Sequence, residues 1–350
     1  MSTSKPAIVS AAVTESPDIK PQILAALEIM RKKEIADKEP FKARAYKKAM
    51  DGIKLLDKVT SYEDVEGIGG IGKKIEEKIK EILETGKLAS AERAAASHKP
   101  HEELMNVYGI GPAKASDLIS DGITSVEMLR AAVKKNPGLL NDKQKIGLLY
   151  YEDLIKRIPY EEMLEHQSIL QELLPEEIDG TNDMEIVGSF RRESPDSGDI
   201  DVLIRVKEGQ NPGKLLIEYI KMMEGFGYLR ATLAQGDKKY MGICQLPGQP
   251  ARRLDILMTP ENEYAYAVLY FTGSDTFNIA MRQYALEKGY TLNEHKLTKL
   301  LKTAADVPEM KTERDIFRFL KVNYVEPKDR KSGAVLTPYR KMKFVYEESE

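Results

Sequence analysis

The chain of 350 residues has a single cysteine, Cys244, no tryptophan, and only 7% aromatic residues. One thiol excludes a disulfide framework, and one thiol with four histidines (His98, His101, His166, His295) leaves no Cys/His zinc cluster. No apolar run approaches the roughly 18 residues of a membrane span, and Met1 to Lys20 lacks the apolar core of a secretory signal. Neither sign of charge dominates: 53 Lys and Arg face 56 Asp and Glu, a formal charge of −3. That balance argues against a simple cationic coat for nucleic acid, and with 42% hydrophobic residues it also argues against a disordered polyelectrolyte. The expectation is a soluble, intracellular, monomeric protein without membrane contact, built from two or three compact units.

The charge that is present is unevenly placed. From Arg31 to Lys80 there are 14 basic and 10 acidic residues, and from Tyr160 to Asp201 there are 13 acidic and 2 basic. A basic front and an acidic middle suit a DNA-gripping part joined to a metal-binding part, although solvated helix faces give the same pattern. Residues 1–20 are small and polar and read as a disordered tail. From Pro21 to Leu88 the spacing is helical, with Ile23, Leu24, Leu27 and Met30 on one stripe and Ile75, Ile79, Ile82 and Leu83 on another. Beyond Pro159, Val187-Gly188-Ser189, Ile200 to Ile204 and Leu254 to Met258 read as strands. Leu215 to Phe226 and Thr276 to Glu287 read as helices, and the residues beyond Pro327 as a polar tail. The fold class is α+β, an all-helical front followed by a mixed back.

Two glycine-bearing turns, Gly67 to Gly72 and Gly109-Ile110-Gly111-Pro112, interrupt helices about forty residues apart and look like one unit used twice. Glycines such as Gly69, Gly72, Gly109 and Gly111 let a backbone N–H approach a phosphate oxygen, and the helix that follows adds its own unpaired donors. The turn carbonyls, those of Ile68 and Ile71 in the first and Val107 and Ile110 in the second, suit a monovalent cation, Na⁺ or K⁺, that bridges to phosphate. A plain helix–helix turn has the same letters. The repetition resembles the helix-hairpin-helix elements that hold DNA backbone without reading bases.

Asp199 and Asp201 lie two apart on an expected strand, so both carboxylates project from one face while Ile200 points into packing. Carboxylates so placed repel one another and invite a divalent cation. A third, Asp255, sits mid-strand in Arg252-Arg253-Leu254-Asp255-Ile256 and needs Arg253, Arg192 or a metal as partner. A salt-bridged strand pair is the plainer alternative. Gly188-Ser189 just upstream makes the set resemble the nucleotidyltransferase superfamily. Such a set implies two Mg²⁺ (or Mn²⁺) held by Asp199, Asp201 and Asp255, with Asp255 as base for a 3′-hydroxyl. Gly188, Ser189 and Arg192 would bind the triphosphate.

Taken alone, Tyr270 to Ser274 reads as an aromatic strand end before a helix N-cap, but Leu269-Tyr270-Phe271-Thr272-Gly273-Ser274-Asp275, continuing through Phe277-Asn278 and Met281-Arg282 to Ala285 through Gly289, narrows the set to one family. With Arg157-Ile158-Pro159, Gln245-Leu246-Pro247 and Glu326 to Arg330, it resembles the family X DNA polymerases, of the beta type, over about residues 31–330. The resemblance divides the chain into a tail (1–20) and a lyase-like helical domain with the first hairpin (21–90). A DNA-binding helical part with the second hairpin (91–156), a catalytic palm (157–263), a nucleotide-selecting part (264–330) and a tail (331–350) follow. It also implies roles. Tyr270, Phe271 and Gly273 lie beside the incoming sugar, Asp275 near the base, and Asn278 at its minor-groove edge. Arg157 joins the triphosphate set, and Arg253 and Arg282 contact DNA. Lys78 is the Schiff-base lysine of a 5′-deoxyribose-phosphate lyase, with Lys42, Tyr46 and Lys74 binding its 5′-phosphate. Lys74 and Lys78 share a helix face at i, i+4, where ammonium groups depress one another's pKa, although an ordinary Glu/Lys helix has the same spacing.

Some positions depart from the family pattern. Phe41 replaces a histidine near the lyase phosphate site, Leu257 an arginine that pairs with a metal-binding aspartate, His295 a tyrosine, and Tyr160 an arginine. They bear on gap-end affinity, closure and fidelity. The expectation is a member without the appended docking domain, for which residues 1–20 are too short, without the phosphoesterase domain, for which the 350 residues are too few, and without the loop of template-independent synthesis, since Leu246 to Arg252 is brief. The expected function is gap-filling DNA synthesis from dNTPs on gapped or nicked duplex DNA in base-excision repair, with lyase activity. The alternatives are a lyase-inactive or low-fidelity repair polymerase, or a non-catalytic DNA-binding scaffold. A nuclear location would follow in a eukaryote, though Arg31-Lys32-Lys33 is too short to be an import signal.

Overall fold

The computed structural model describes residues 17–37, 39–180, 183–331 and 335–337. Most of the two expected tails, residues 1–16, 332–334 and 338–350, lies outside the described residues. The chain forms two compact units, Met1–Ala96 and Ser97–Glu350.

The first unit holds α1 (Lys20–Ala36), α2 (Pro40–Lys54) and α3 (Lys73–Thr85), and α4 (Ala89–Met105) begins in it. Prolines in the first turns of α1 and α2 cost no hydrogen bond there, and Gly86 ends α3 in the left-handed conformation. The stripes at Ile23 and Leu27, at Ile75, Ile79 and Ile82, and at Ala49 and Ile53 meet in one core. Each isoleucine fully removed from water there contributes roughly 1.5–3 kcal/mol. The expected tail ends earlier than residue 20: Asp18 Oδ1 accepts from the Val59 and Lys20 amides, and Ile19 donates to the Val59 carbonyl.

The first glycine turn differs from expectation in two ways. What precedes it, 61–67, is irregular turn, so no regular helix leads in. Positive φ falls on Gly67 and Gly70, while Gly72 is extended and serves as N-cap of α3. Gly70 is required: a Cβ there would sit 2.8 Å from the Ala49 nitrogen and 2.9 Å from the Ala45 carbonyl, both backbone atoms of α2.

The second unit continues with α5 (Pro112–Ser120), α6 (Val126–Lys135), α7 (Asp142–Leu149) and α8 (Tyr151–Leu154). Ser125 caps α6, and an Asn141/Gln144 capping box opens α7. Gln144 Nε2 also donates to the Gly109 carbonyl (2.9 Å), fastening the second glycine turn to α7. After β1 (Ile158–Pro159) and α9 (Tyr160–Glu172) come β2 (Met184–Ile186), α10 (Gly188–Arg191), β3 (Asp196–Ser197) and β4 (Ile200–Val206). Next are α11 (Pro212–Gly225), β5 (Leu229–Gln235), β6 (Lys239–Cys244) and β7 (Arg252–Pro260). Then α12 (Glu261–Thr272), α13 (Asp275–Glu287), β8 (Tyr290–Leu292), β9 (Leu297–Lys299) and α14 (Glu313–Leu320) complete the α-helices and strands among the described residues.

The five-stranded sheet has the order β2-β4-β7-β6-β5, with β4 and β7 parallel and the other neighbours antiparallel. Ile200, Val202 and Ile204 of β4 and Leu254, Ile256 and Met258 of β7 enter one core with α9 and α11. The residues between them face the other side, where Leu203 and Leu257 pack with Tyr264, Ala267 and Val268 of α12. No helix among the described residues is long and apolar enough to cross a membrane.

Three local expectations are corrected. Val187-Gly188-Ser189 is no strand: pairing stops at Ile186, and Gly188, at φ +66°, turns the chain into α10. Tyr270 to Ser274 is a helix end rather than a strand end, because Ala265, Val268, Leu269 and Thr272 bury at helical spacing. Ser274 then caps α13 by accepting from the Phe277 amide. The expected polar end beyond Pro327 contains Arg330, which is fully buried, and Val335 and Leu336 pack on the same core while Asn323 bonds Thr337.

Candidate active site

The parallel pairing of β4 and β7 sets Ile200 opposite Leu254 and Asp201 opposite Asp255. Since Leu254 and Ile256 enter the core, alternation leaves Asp201 and Asp255 side by side on the opposite face, at the roughly 4.8 Å spacing of neighbouring strands. The consequences are electrostatic. Burial, reinforced by the charge of Asp255, pushes the Asp201 carboxyl up to about 6. Burial also pushes Asp255 up, against the pull of Arg253 and Lys239. Asp255 Oδ1 is buried without a hydrogen-bond partner, and Arg253 Nε, 3.9 Å away, is too far to supply one.

Asp199 precedes β4 by one residue, and its Oδ2 is bound by Arg253 Nη2, whose own Nε lies 3.9 Å from Asp255 Oδ1. Arg192, one expected partner for Asp255, donates instead to the Thr272 carbonyl (2.6 Å). Among the described residues no three His, Cys, Asp or Glu side chains are gathered to hold a metal ion. Two of the three carboxylates nevertheless fit one: a crowded, partly buried pair with an unsatisfied oxygen needs a cation. Asp199 can join them by exchanging Arg253 for the ion.

The groups expected to bind triphosphate form a connected edge beside this pair. A Cβ on Gly188 would lie 3.2 Å from Asp201 Oδ2, so the turn that opens α10 rests directly on the carboxylate. Ser189 Oγ donates to Ser197 Oγ (2.9 Å), and Arg157 donates from Nε and Nη2 to Asp196 Oδ1 (2.9 and 2.7 Å). Pairing of Ile158 with Ser197 joins those two contacts. On the far side Tyr270 and Phe271 stack edge to face at 5.1 Å, Asn278 Nδ2 donates to the Tyr270 carbonyl (2.7 Å), and Asp275 lies in the first turn of α13 after Gly273. Arg282 lies 4.9 Å over the Tyr270 ring and 3.7 Å from Glu294. A cavity of about 420 Å³, lined by Asp201, Asp255, Leu257, Phe271, Glu294 and His295, opens behind the carboxylates. His295 is exposed and hydrogen-bonded to Glu263 (2.7 Å) in a solvated position.

Sequence spacing missed the group that steadies this edge. Arg330, fully buried among Phe277, Phe317 and Tyr324, donates to Glu313 (2.6 Å), which also accepts from Arg191 (2.8 Å). Arg191 donates in turn to Thr272 Oγ1 (2.9 Å), and the Arg330 carbonyl accepts from the Ser274 amide (3.3 Å). What signal there was, the charged run Glu326 to Arg330, reads as a solvated turn.

In the first unit Lys74 and Lys78 lie one turn apart on α3, Lys74 exposed and Lys78 half-buried. Lys42 is exposed and ion-paired with Glu39 (3.3 Å) and Glu34 (3.7 Å), whereas Tyr46 is mostly core, its phenol raised by burial. Of the turn carbonyls, Ile68 already accepts from Ile71, and Val107 from Ile110. Gly69 lies under the Lys48 side chain, and Gly109 takes positive φ while Gly111 caps α5.

Four family models match successive stretches: a helix-hairpin-helix domain (18–88), the fingers domain of DNA polymerase lambda (102–155), the DNA polymerase beta palm (157–261) and the DNA polymerase beta thumb (267–331). The chain is 33% identical over 324 residues to DNA polymerase lambda of Rattus norvegicus, covering 88% of this chain and 56% of that one. It is 30% identical over 314 residues to DNA polymerase lambda of Arabidopsis thaliana, covering 83% and 58%. It is 26% identical over 329 residues to a DNA polymerase type-X family protein of Schizosaccharomyces pombe, covering 88% and 64%. The chain thus spans little more than half the length of the lambda polymerases it matches. Carboxylates on adjoining parallel strands, a glycine turn resting on one of them, and the ordered succession of four matched domains place the chain in the family X DNA polymerases.

Proposed function

We propose that the chain is a template-directed DNA polymerase that fills short gaps in duplex DNA during base-excision repair, joining dNTPs to a primer 3′-hydroxyl. The observation that carries this is the Asp201–Asp255 pair, with Asp255 Oδ1 buried and unsatisfied and the Gly188 turn that leads to Ser189 and Arg192 resting on Asp201. Bound Mg²⁺ supplies acidity to the attacking hydroxyl and charge for the departing pyrophosphate. Asp255 accepts the hydroxyl proton. Ser189 and the α10 turn, with Arg157 and Arg192, hold triphosphate oxygens through charge-assisted bonds. Tyr270, Phe271 and Asn278 position the sugar and base, and Arg282 and Arg253 meet DNA. The glycine turns hold backbone phosphates, with Na⁺ or K⁺ at their carbonyls. Primer extension on a one-nucleotide gap tests this: only the templated dNTP is incorporated, and only with Mg²⁺ or Mn²⁺. Binding of gapped DNA without incorporation makes the protein a scaffold instead.

The same reading assigns lyase chemistry to α3. Lys78 Nζ attacks the C1′ aldehyde of a 5′-deoxyribose phosphate, water leaves as the imine forms, and loss of a C2′ proton breaks the C3′–O bond, so the downstream strand departs with a 5′-phosphate. Its half-buried position beside exposed Lys74 supports this. Borohydride is expected to trap a covalent adduct on incised abasic DNA with the wild type and with Lys42→Ala, but not with Lys78→Ala. An adduct that persists in Lys78→Ala removes the assignment.

A further inference from the structure

Beneath the site, on the core side of the sheet, lies a buried ion pair that touches no expected substrate group. Arg252, at the start of β7, is only 3% exposed and meets Glu162 of α9 through two parallel bonds, Nε to Oε1 (2.7 Å) and Nη2 to Oε2 (2.8 Å). Its remaining Nη1 donates to the Lys156 carbonyl (3.0 Å), the peptide that joins Lys156 to Arg157. One residue further, Arg253 binds Asp199, and one residue before, the Ala251 amide donates to Asp153 (3.0 Å). His166, fully buried, sits behind the pair with Nε2 3.5 Å from Glu162 Oε1 and Nδ1 2.6 Å from the Tyr228 hydroxyl. Burial holds His166 down to about 4, so it is neutral and the Glu162 charge is balanced by Arg252.

A fully buried ion pair gives up several kcal/mol of hydration per ion and is often no more stabilising than apolar residues of the same volume. What it does supply is geometry: a planar guanidinium with all three nitrogens bonded has one orientation. We propose that Arg252, clamped by Glu162, is a positioning residue for nucleotide binding, fixing the Lys156–Arg157 segment so that the Arg157 guanidinium meets the triphosphate. The inference rests on the polymerase function proposed above. Arg157 itself is exposed and, among the described residues, anchored at Asp196 alone, so the backbone under it sets where its side chain can reach.

The test is a double-mutant cycle on gapped duplex DNA. Arg252→Lys keeps the charge but loses the fork and the bond to the Lys156 carbonyl. It is expected to raise the KM for dNTP about tenfold with kcat and gapped-DNA affinity changed less than about twofold. In an Arg157→Ala background the same change is expected to add less than about twofold, because the two residues act through one contact. Glu162→Gln, which removes the buried charge with little change of shape, reports the same cycle if Arg252→Lys does not fold. Equal effects in both backgrounds, or a lowered Tm with unchanged KM, overturn the proposal. A wild type that incorporates no nucleotide overturns the polymerase function instead.

Discussion

Replacing Asp255 by alanine is expected to slow single-nucleotide gap filling by on the order of 10⁴-fold, the upper end for loss of a positioned general base, while gapped-DNA binding is retained. The carboxylate is the group best placed to take a proton. It stands beside Asp201 across parallel strands, and one of its oxygens is buried without a partner. Asp199 is occupied by Arg253, and Asp201 is held up to about 6, chiefly by burial. Without a cation this pair works against folding. Carboxyls whose folded pKa exceeds the unfolded value near 3.8 bind protons more tightly when folded. Their presence therefore costs stability as pH rises from about 4 through 6, and the cost stays at neutral pH. Asp255→Ala is consequently expected to melt no lower than the wild type in metal-free buffer at pH 7, and to lose the stabilisation that Mg²⁺ gives the wild type. Rapid-quench extension and paired melting curves with and without Mg²⁺ measure both. Extension that survives the substitution removes Asp255 from the mechanism.

The charged motif was legible in sequence, but its geometry was only half legible. Alternation correctly sends Ile200 inward and Asp201 outward. What spacing cannot give is strand register, a non-local quantity, and register is what puts Asp255 next to Asp201. The partner of Asp199 is non-local for the same reason, since Arg253 lies on another strand. Val187 to Ser189 looked like a strand because valine favours extended backbone, but Gly188 takes φ +66° and ends the pairing. The aromatic run at Tyr270 and Phe271 was ambiguous in the same way, since short apolar runs fit buried helix and strand alike. The helical front was plainer. Its isoleucine stripes report local periodicity, and they form the core they implied. Arg330 and Glu313 were invisible because charged residues in turns and amphipathic helices normally face water.

Glu313→Ala is expected to be strongly destabilising, at about 3–5 kcal/mol, because it leaves the fully buried Arg330 guanidinium without a counter-charge and Arg191 with Glu185 alone. Arg330 has no exposed surface and Glu313 only 6%. Burial pushes the Glu313 carboxyl up, but Arg330 and Arg191 together outweigh it and hold the group below the ordinary carboxylate range. Its contribution is thus present above the unfolded pKa near 4.5 and is lost as pH falls through the folded value. Removing Glu313 loosens more than its own helix. Arg191 also holds Thr272, and the Arg330 carbonyl holds Ser274, so two anchors of the Thr272-Gly273-Ser274 turn loosen and Arg192 on the Thr272 carbonyl remains. Urea titration at pH 7 is expected to show the loss as a lower midpoint. Gap filling by the fraction still folded is expected to show a raised KM for dNTP, since Asp275 and Asn278 follow directly from that turn. Combining Glu313→Ala with Arg330→Met removes one stranded charge and is expected to recover part of the loss, so the two effects are non-additive. Full additivity would mean that Arg330 is satisfied by the Val325 carbonyl and the surrounding aromatic rings alone, and that Glu313 acts through Arg191.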